Sequence, residues 1–349
     1  MTSGPPNPHQ PFGIYARWRV AREMLLFFGP PGEAPHADGE AEARSLADFI
    51  GYLQEKWGDE DLGIRFPQFI ALADSMERAG LLRGAPGSHP PFRNFSVLGL
   101  GVTAAQSNGI LWLARALGPE LIIRSYGAAT IAITGISADG EASIGTGLLL
   151  DARHLLTNKH VVEEMTLDRE LKTSATAAPD TDVEVAEQQS VRVVNFRSHE
   201  SIDVAVVEIE PISGEATIKT VGGVAFRGPG WEDDTWTFGY PRVPMAIDPP
   251  PLVVHKGSVV NPCVRDMLGC KYFLFSATSR PGNSGGPIVA QDGRVLGIVT
   301  RTLEIKGDTV DDRLHTPFYA GVPTNQIAKA LVDLGYPDLL KVEKWGPVD

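Results

Sequence analysis

The chain has 349 residues, with 43% hydrophobic and 21% charged side chains, the balance of a soluble globular protein with one large or two ordinary domains. Its 31 basic and 43 acidic side chains leave a net charge of -12, which argues against a broad nucleic-acid or anionic-membrane surface, because binding phosphates needs clustered Lys and Arg. Two cysteines, Cys263 and Cys270, are too few for a disulfide-built secreted domain, and no neighbouring Cys or His cluster completes a metal site. The polar, Pro-rich N-terminus lacks the basic start and apolar run of a secretory signal, and no apolar stretch approaches a membrane span. The expectation is a cytoplasmic protein without metal or cofactor.

Up to about residue 117 the sequence has helical periodicity. Ala16–Phe28 places Trp18, Met24, Leu25 and Phe28 near one face. Ser45 is an N-cap for a helix that buries Leu46, Phe49, Ile50, Leu53 and Trp57. A third helix, in "RFPQFIALADSMERAGLL", ends at or just after Gly80. The acidic run 32–42 and the Gly/Pro-rich stretch 83–92 are loops. A further helix spans Thr103–Leu117, closed by Gly118-Pro119.

From about Leu121 the texture turns to β. "ATIAITGI", "SIGTGLLLD", "HLLTNKHVV", "SVRVVNF", "IDVAVVEI", "DTWTFGY", "KYFLFSAT", "PIVAQDGRVLGIVTR" and "FYAGVP" are short strands punctuated by Gly, Pro, Asp and Asn, the pattern of a sandwich or barrel. A closing helix follows over Thr324–Leu334.

Within "SRPGNSGGPI" one serine is ringed by glycines. A serine hydroxyl attacks a carbonyl only when a base takes its proton and fixed donors receive the oxyanion. Glycine lets backbone N–H groups turn into a site without a Cβ clash. Gly282 and Ser284 can supply two converging amides, and Gly285 and Gly286 let neighbouring backbone approach. The same letters satisfy the nucleophile elbow of α/β-hydrolases, but that elbow leads into a helix, whereas here Gly-Gly-Pro leads into a hairpin through Asp292-Gly293. The order histidine, acid, serine fits instead. His160 follows a Leu/Thr-rich strand and Asp203 precedes an alternating apolar strand; the other histidines upstream are His154 and His199, and the other acids Asp180 and Asp182.

"TNKHVV", "DVAVVEI" and "GNSGGPIV", in this order, resemble the trypsin-like serine peptidases, closest to their bacterial HtrA-type branch. "TFGYPR", "VLGIVTR" and "YAGVPTNQIAKAL" also resemble segments of that branch, and the likeness spans about residues 121–335. It implies an all-β double barrel with a C-terminal helix (119–340); with the helical N-terminal domain (1–118) read from its periodicity and a tail (341–349), the expected fold is an α+β chain of two domains. The resemblance also implies that His160 is the general base, Asp203 its orienter and Ser284 the nucleophile. The oxyanion hole falls on Gly282, Asn283 and Ser284, with the amides of Gly282 and Ser284 as its donors.

Thr278 stands where trypsin itself has a carboxylate, so with Ser279 it makes a polar, uncharged pocket floor with no strong preference for Lys or Arg. Thr300 and Arg301 lie where substrate backbone would add as a strand. Asn283 replaces the Asp that pairs with a newly cut amine in zymogen-activated relatives, so control by ordering of the loops around Gly282 is expected instead. The C-terminal peptide-binding module usual in the branch has no room before Asp349. The helical domain either docks a protein partner and regulates the enzyme or stabilises the barrels by packing. The expected activity is intracellular serine endopeptidase, acting on a protein or peptide and binding neither nucleic acid nor membrane. The alternative is a catalytically silent peptide-binding module on the same fold.

Overall fold

The structure is a computed structural model that describes residues 12, 15–29, 43–86, 93–97, 109–172, 190–212, 220–244, 251–267, 269–300 and 319–341. They fall into two compact units that divide between Leu121 and Ile122. The acidic run 32–42, residues 87–92 of the expected loop and residues 342–349 of the tail lie outside the described residues.

In the first unit, helices α1 (Arg17–Phe28), α2 (Leu46–Trp57) and α3 (Phe66–Arg78) pack with a small sheet in which β1 (Arg44–Ser45) and β2 (Leu82–Gly84) flank β3 (Asn94–Val97). Ser45 caps α2 as expected: its hydroxyl accepts from Asp48 N–H, and the Asp48 carboxylate reaches back to the Ser45 N–H. Met24, Phe28, Phe49, Leu53, Phe69 and Phe95 are fully buried, so this unit has an aromatic core of its own. Residues 103–108 of the expected Thr103–Leu117 helix lie outside the described residues. The remainder forms a 3₁₀ turn (Leu111–Leu113) and a short helix, α4 (Ala114–Leu117).

The chain does not turn to β at Leu121. Pro119–Ala129 forms a helix, α5. Proline stops the helix before it but is well placed in the first turn of the next, where its missing N–H has no intrahelical partner to lose. Ile122, Tyr126 and Ala129 are its buried face within the second unit, a 3.6-residue pattern inside an apolar run that otherwise reads as a strand.

The second unit has two β layers. The first is a seven-stranded antiparallel sheet of β4 (Thr130–Ser137), β5 (Ala142–Asp151), β6 (His154–Thr157), β7 (Met165–Leu167), β8 (Glu170–Lys172), β9 (Ser190–Ser198) and β10 (Ala205–Pro211), in the order β7-β4-β5-β6-β10-β9-β8. The second is a closed barrel of β11 (Asp234–Gly239), β12 (Val253–Arg265), β13 (Lys271–Phe275), β14 (Pro287–Ala290), β15 (Val295–Val299) and β16 (Tyr319–Pro323), in the order β11-β12-β13-β16-β15-β14. Val259, Phe273, Phe275, Ile288, Leu296 and Val299 form its core. Helix α6 (Lys159–Glu163) follows β6, and α7 (Thr324–Asp333) follows β16. Strand β12 was not among the expected strands. It bends to pair with β11 along one half and β13 along the other, through two register shifts, and so lacks a regular alternation.

A buried charge network braces the barrel. The Arg227 guanidinium donates to Asp292 at 2.8 Å and to both Asp233 oxygens at 2.8 and 2.7 Å. Burial alone would lower the Arg227 pKa, but the two carboxylates outweigh it and raise it. Asp233 is likewise raised by burial and lowered more strongly by Arg227. The network anchors the Asp292-Gly293 turn between β14 and β15, and Tyr126 of α5 donates to the Gly293 carbonyl at 2.7 Å. Among the described residues, removing the guanidinium leaves the buried Asp233 without a cation and Asp292 with Arg294 alone, at 3.2 Å. Arg227→Ala should therefore destabilise the protein by about 3–5 kcal/mol in denaturant unfolding; a loss below about 1 kcal/mol would show that the network contributes nothing to the barrel.

Candidate active site

Strand β6 ends at Thr157, and Asn158 turns the chain into α6, which puts His160 in the first helical turn. The Asn158 side chain donates to the Asp203 carbonyl at 2.9 Å, and the His160 backbone N–H donates to Asp203 Oδ1 at 3.1 Å. His160 Nδ1 lies 3.0 and 2.9 Å from the two Asp203 carboxylate oxygens. An ionised carboxylate only accepts, so Nδ1 carries the proton and Nε2 is left as the acceptor. Thr300, just past β15, donates its hydroxyl to Asp203 Oδ2 at 2.5 Å. Burial tends to raise the Asp203 pKa, but the His160 ring, its charge, the Thr300 hydroxyl and the His160 N–H together hold it below the ordinary aspartate value.

The other titratable candidates lie elsewhere. Both oxygens of Asp151 hold His154 Nδ1, at 2.8 and 2.9 Å, and the edge of the His154 ring meets Tyr336. The His199 ring supports the loop that carries Asp203. Its Nδ1 accepts from the backbone N–H groups of Ser201 at 3.1 Å and Ile202 at 2.9 Å, and its Nε2 donates to Asp333 at 3.1 Å. Asp180 and Asp182 lie outside the described residues.

Ser284 is the second residue of the latter of two consecutive turns that share Asn283, closed by Asn283 N–H to Arg280 O at 2.9 Å and Gly286 N–H to Asn283 O at 3.0 Å. Each has a glycine with positive φ at its third position, Gly282 at 102° and Gly285 at 85°, the conformation a second-type turn requires there. A Cβ at Gly282 would collide with the Tyr240 carbonyl, and one at Gly285 with Thr146 O and Thr157 Oγ1. Gly285 N–H donates to Val299 O at 2.9 Å and Thr146 N–H donates to Ser284 O at 2.8 Å. Ser284 is thereby tied to β5, packed beside Thr157 at the root of the His160 turn, and joined to the strand whose next residue holds Asp203.

Among the described residues, the backbone N–H groups of Gly282 and Ser284 have no partner. The Asn283 N–H is committed to Arg280 O. Of the three residues expected at the oxyanion hole, Gly282 and Ser284 are the ones whose amides are unpaired among the described residues. The Asn283 side chain is buried at 1% exposure, and both its polar atoms lack a hydrogen bond among the described residues. No hydrogen bond joins Ser284 Oγ to His160 among the described residues.

The residues expected to contact substrate are only partly brought together. Thr300 has both donors committed, its hydroxyl to Asp203 and its N–H to Ala320 O at 3.0 Å. Its side chain thus serves the carboxylate, and Thr300 also lines the cavity beside His160. Thr278 is exposed and Ser279 half-buried. Arg301 lies outside the described residues. A cavity of about 340 Å³ opens beside His160 and Asp203, walled by Lys159, Glu163, Tyr272 and Thr300. Both cysteines are free, and the β12–β13 pairing sets Cys270 against Asp266 rather than Cys263. Sequence reasoning missed Thr300, His199 and Thr146 as supports, since their partners are set by the tertiary fold.

Residues 145–298 match the family model of the trypsin-like peptidase domain. Among solved structures the chain is similar to a serine endoprotease from Yersinia pestis, with 18% identity over 63% of this chain and 67% of that chain and a TM-score of 0.44. It is similar to the Rv3671c protease from M. tuberculosis in its active form, with 17% identity, 67% and 89% coverage and a TM-score of 0.42. The HtrA-type protease AlgW with tripeptide gives 20% identity, 62% and 64% coverage and a TM-score of 0.43. No curated protein matches the sequence.

Because the folded Asp203 pKa lies below its unfolded value of about 3.9, its contribution to stability is complete above that pH and is lost as pH falls through the lower folded value. The melting-temperature gap between wild type and Asp203→Asn should therefore be widest near neutrality and narrow as pH falls below the unfolded value and through the lower folded one. A gap that persists unchanged in acid would mean that the carboxylate charge contributes nothing.

Proposed function

We propose that the protein is a serine endopeptidase that cleaves peptide bonds through an acyl-enzyme. Ser284 is the nucleophile, His160 the general base and Asp203 the group that fixes the imidazole tautomer. The observations that support this reading are the His160–Asp203 pair, with Nε2 left to accept, and a serine loop in which the Gly282 and Ser284 amides have no partner among the described residues. Ser284 Oγ attacks the scissile carbonyl as His160 takes its proton, and the Gly282 and Ser284 amides receive the oxyanion. His160 then protonates the leaving amine, and water repeats the sequence on the ester. Catalytic hydrogen bonds are often long in unliganded sites and tighten when substrate binds, which accommodates the missing Ser284–His160 bond.

The same missing bond favours the second reading, a silent peptide-binding module. The two differ in a direct test. A fluorophosphonate probe should label Ser284 and not His160→Ala, and Ser284→Ala should lower peptide turnover by on the order of 10⁶-fold. A folded wild-type protein that resists the probe and cleaves no peptide in a diverse library would leave only the binding module.

The enzyme works in a reducing compartment on this reading, which the two unbridged cysteines support. No helix among the described residues is long and apolar enough to cross a membrane. The N-terminal unit acts as a docking module for a protein partner that regulates the peptidase. Its separate aromatic core supports a self-contained module over a packing extension.

A further inference from the structure

The two amides beside Ser284 are useful only if something holds them, and glycine cannot hold itself. Without a Cβ, Gly282 has access to a broad range of φ and ψ, so its φ of 102° needs an external anchor. That anchor is Thr146, on β5 between Gly145 and Gly147, which is fully buried. Its Oγ1 lies 2.7 Å from the Gly282 carbonyl and accepts from the Tyr240 N–H at 3.1 Å. A hydroxyl has one hydrogen. With the Tyr240 N–H occupying a lone pair, that hydrogen goes to Gly282 O.

The main chain of Thr146 completes the hold. Its N–H donates to Ser284 O, and its carbonyl accepts from Thr157 Oγ1 at 2.7 Å. The peptide group joining Gly282 to Asn283 is thus pinned at both ends, its carbonyl on Thr146 and its N–H on Arg280 O. The group joining Ser284 to Gly285 is pinned the same way, between Thr146 N–H and Val299 O. A planar trans peptide held at both ends cannot rotate. The N–H groups of Gly282 and Ser284 flank the first pinned plane, so it dictates where they point.

We propose that Thr146 is a positioning residue for the oxyanion pocket, its hydroxyl keeping the Gly282 amide turned inward. This rests on the peptidase reading above. Val matches Thr in shape and lacks the hydroxyl, so Thr146→Val should lower kcat by roughly 10–100-fold, short of the 10²–10³-fold that follows complete loss of a donor. KM should stay within about threefold, because the oxyanion exists only on the reaction path. Affinity for a peptide boronate, whose tetrahedral adduct uses the same amides, should fall in parallel with kcat/KM. Thr146→Ser should recover most of the loss.

If Thr146→Val does not fold, Thr146→Ser and Thr146→Cys make the comparison, since the thiol is a weak donor of similar size: Ser active with Cys impaired supports the assignment. A folded Thr146→Val with wild-type kcat, or a Cys variant equal to Ser, overturns it while leaving the peptidase intact. A wild type that neither cleaves peptides nor reacts with the fluorophosphonate overturns both.

Discussion

The carboxylate of Asp203 is the point on which the site depends. Burial disfavours its charge, and the charge persists because the His160 ring, the His160 N–H and the Thr300 hydroxyl all donate to it. Those donors come from different parts of the fold. His160 follows β6 of the seven-stranded sheet, and Thr300 follows β15 of the closed barrel. One ionised group therefore ties the two β layers together at the place where chemistry would occur. Its orientation fixes the imidazole, and through Thr300 it also fixes the end of the strand whose Val299 carbonyl holds Gly285.

The serine loop obeys a different constraint. Most of its backbone groups from Gly282 to Gly286 are satisfied by turns, by Thr146 and by β15, whereas the N–H groups of Gly282 and Ser284 have no partner among the described residues. Buried or half-buried amides without partners are costly. Here they persist because every adjoining peptide is held in place, so the loop cannot relax to pair them. That arrangement stores capacity for a negative oxygen, and it explains why glycine stands at Gly282 and Gly285. The braced Asp292-Gly293 turn serves the same end, since β14 and β15 run from it to Gly286 and Val299.

Much of this was legible in the sequence. Alternating Val, Ile and Thr runs marked most strands, Ser45 marked its helix, and the glycines around Ser284 marked a loop built for close backbone approach. The order of His160, Asp203 and Ser284 along the chain could be read directly. What was hidden depended on tertiary partners. Helix α5 reads as a strand because its Leu-Ile-Ile run is β-like and Pro119 looks like a terminator. Strand β12 is bent and bulged, which erases its alternation. Thr146 and Thr300 look like ordinary strand residues until the fold sets Gly282 and Asp203 against their hydroxyls. His199 looked idle because its value lies in accepting backbone N–H groups, which no motif records. Spacing alone could not show that the Asn283 amide is committed to Arg280 O.

The central claim is spatial: a tetrahedral centre on Ser284 would be held between one imidazole and two glycine-loop amides. A crystal structure of the protein soaked with a peptide boronate measures this directly. The account predicts boron bonded to Ser284 Oγ, with one boronate oxygen within hydrogen-bond distance of the Gly282 and Ser284 N–H groups and another near His160 Nε2. A boronate attached elsewhere, or attached to Ser284 with its oxygens far from both amides, would contradict it.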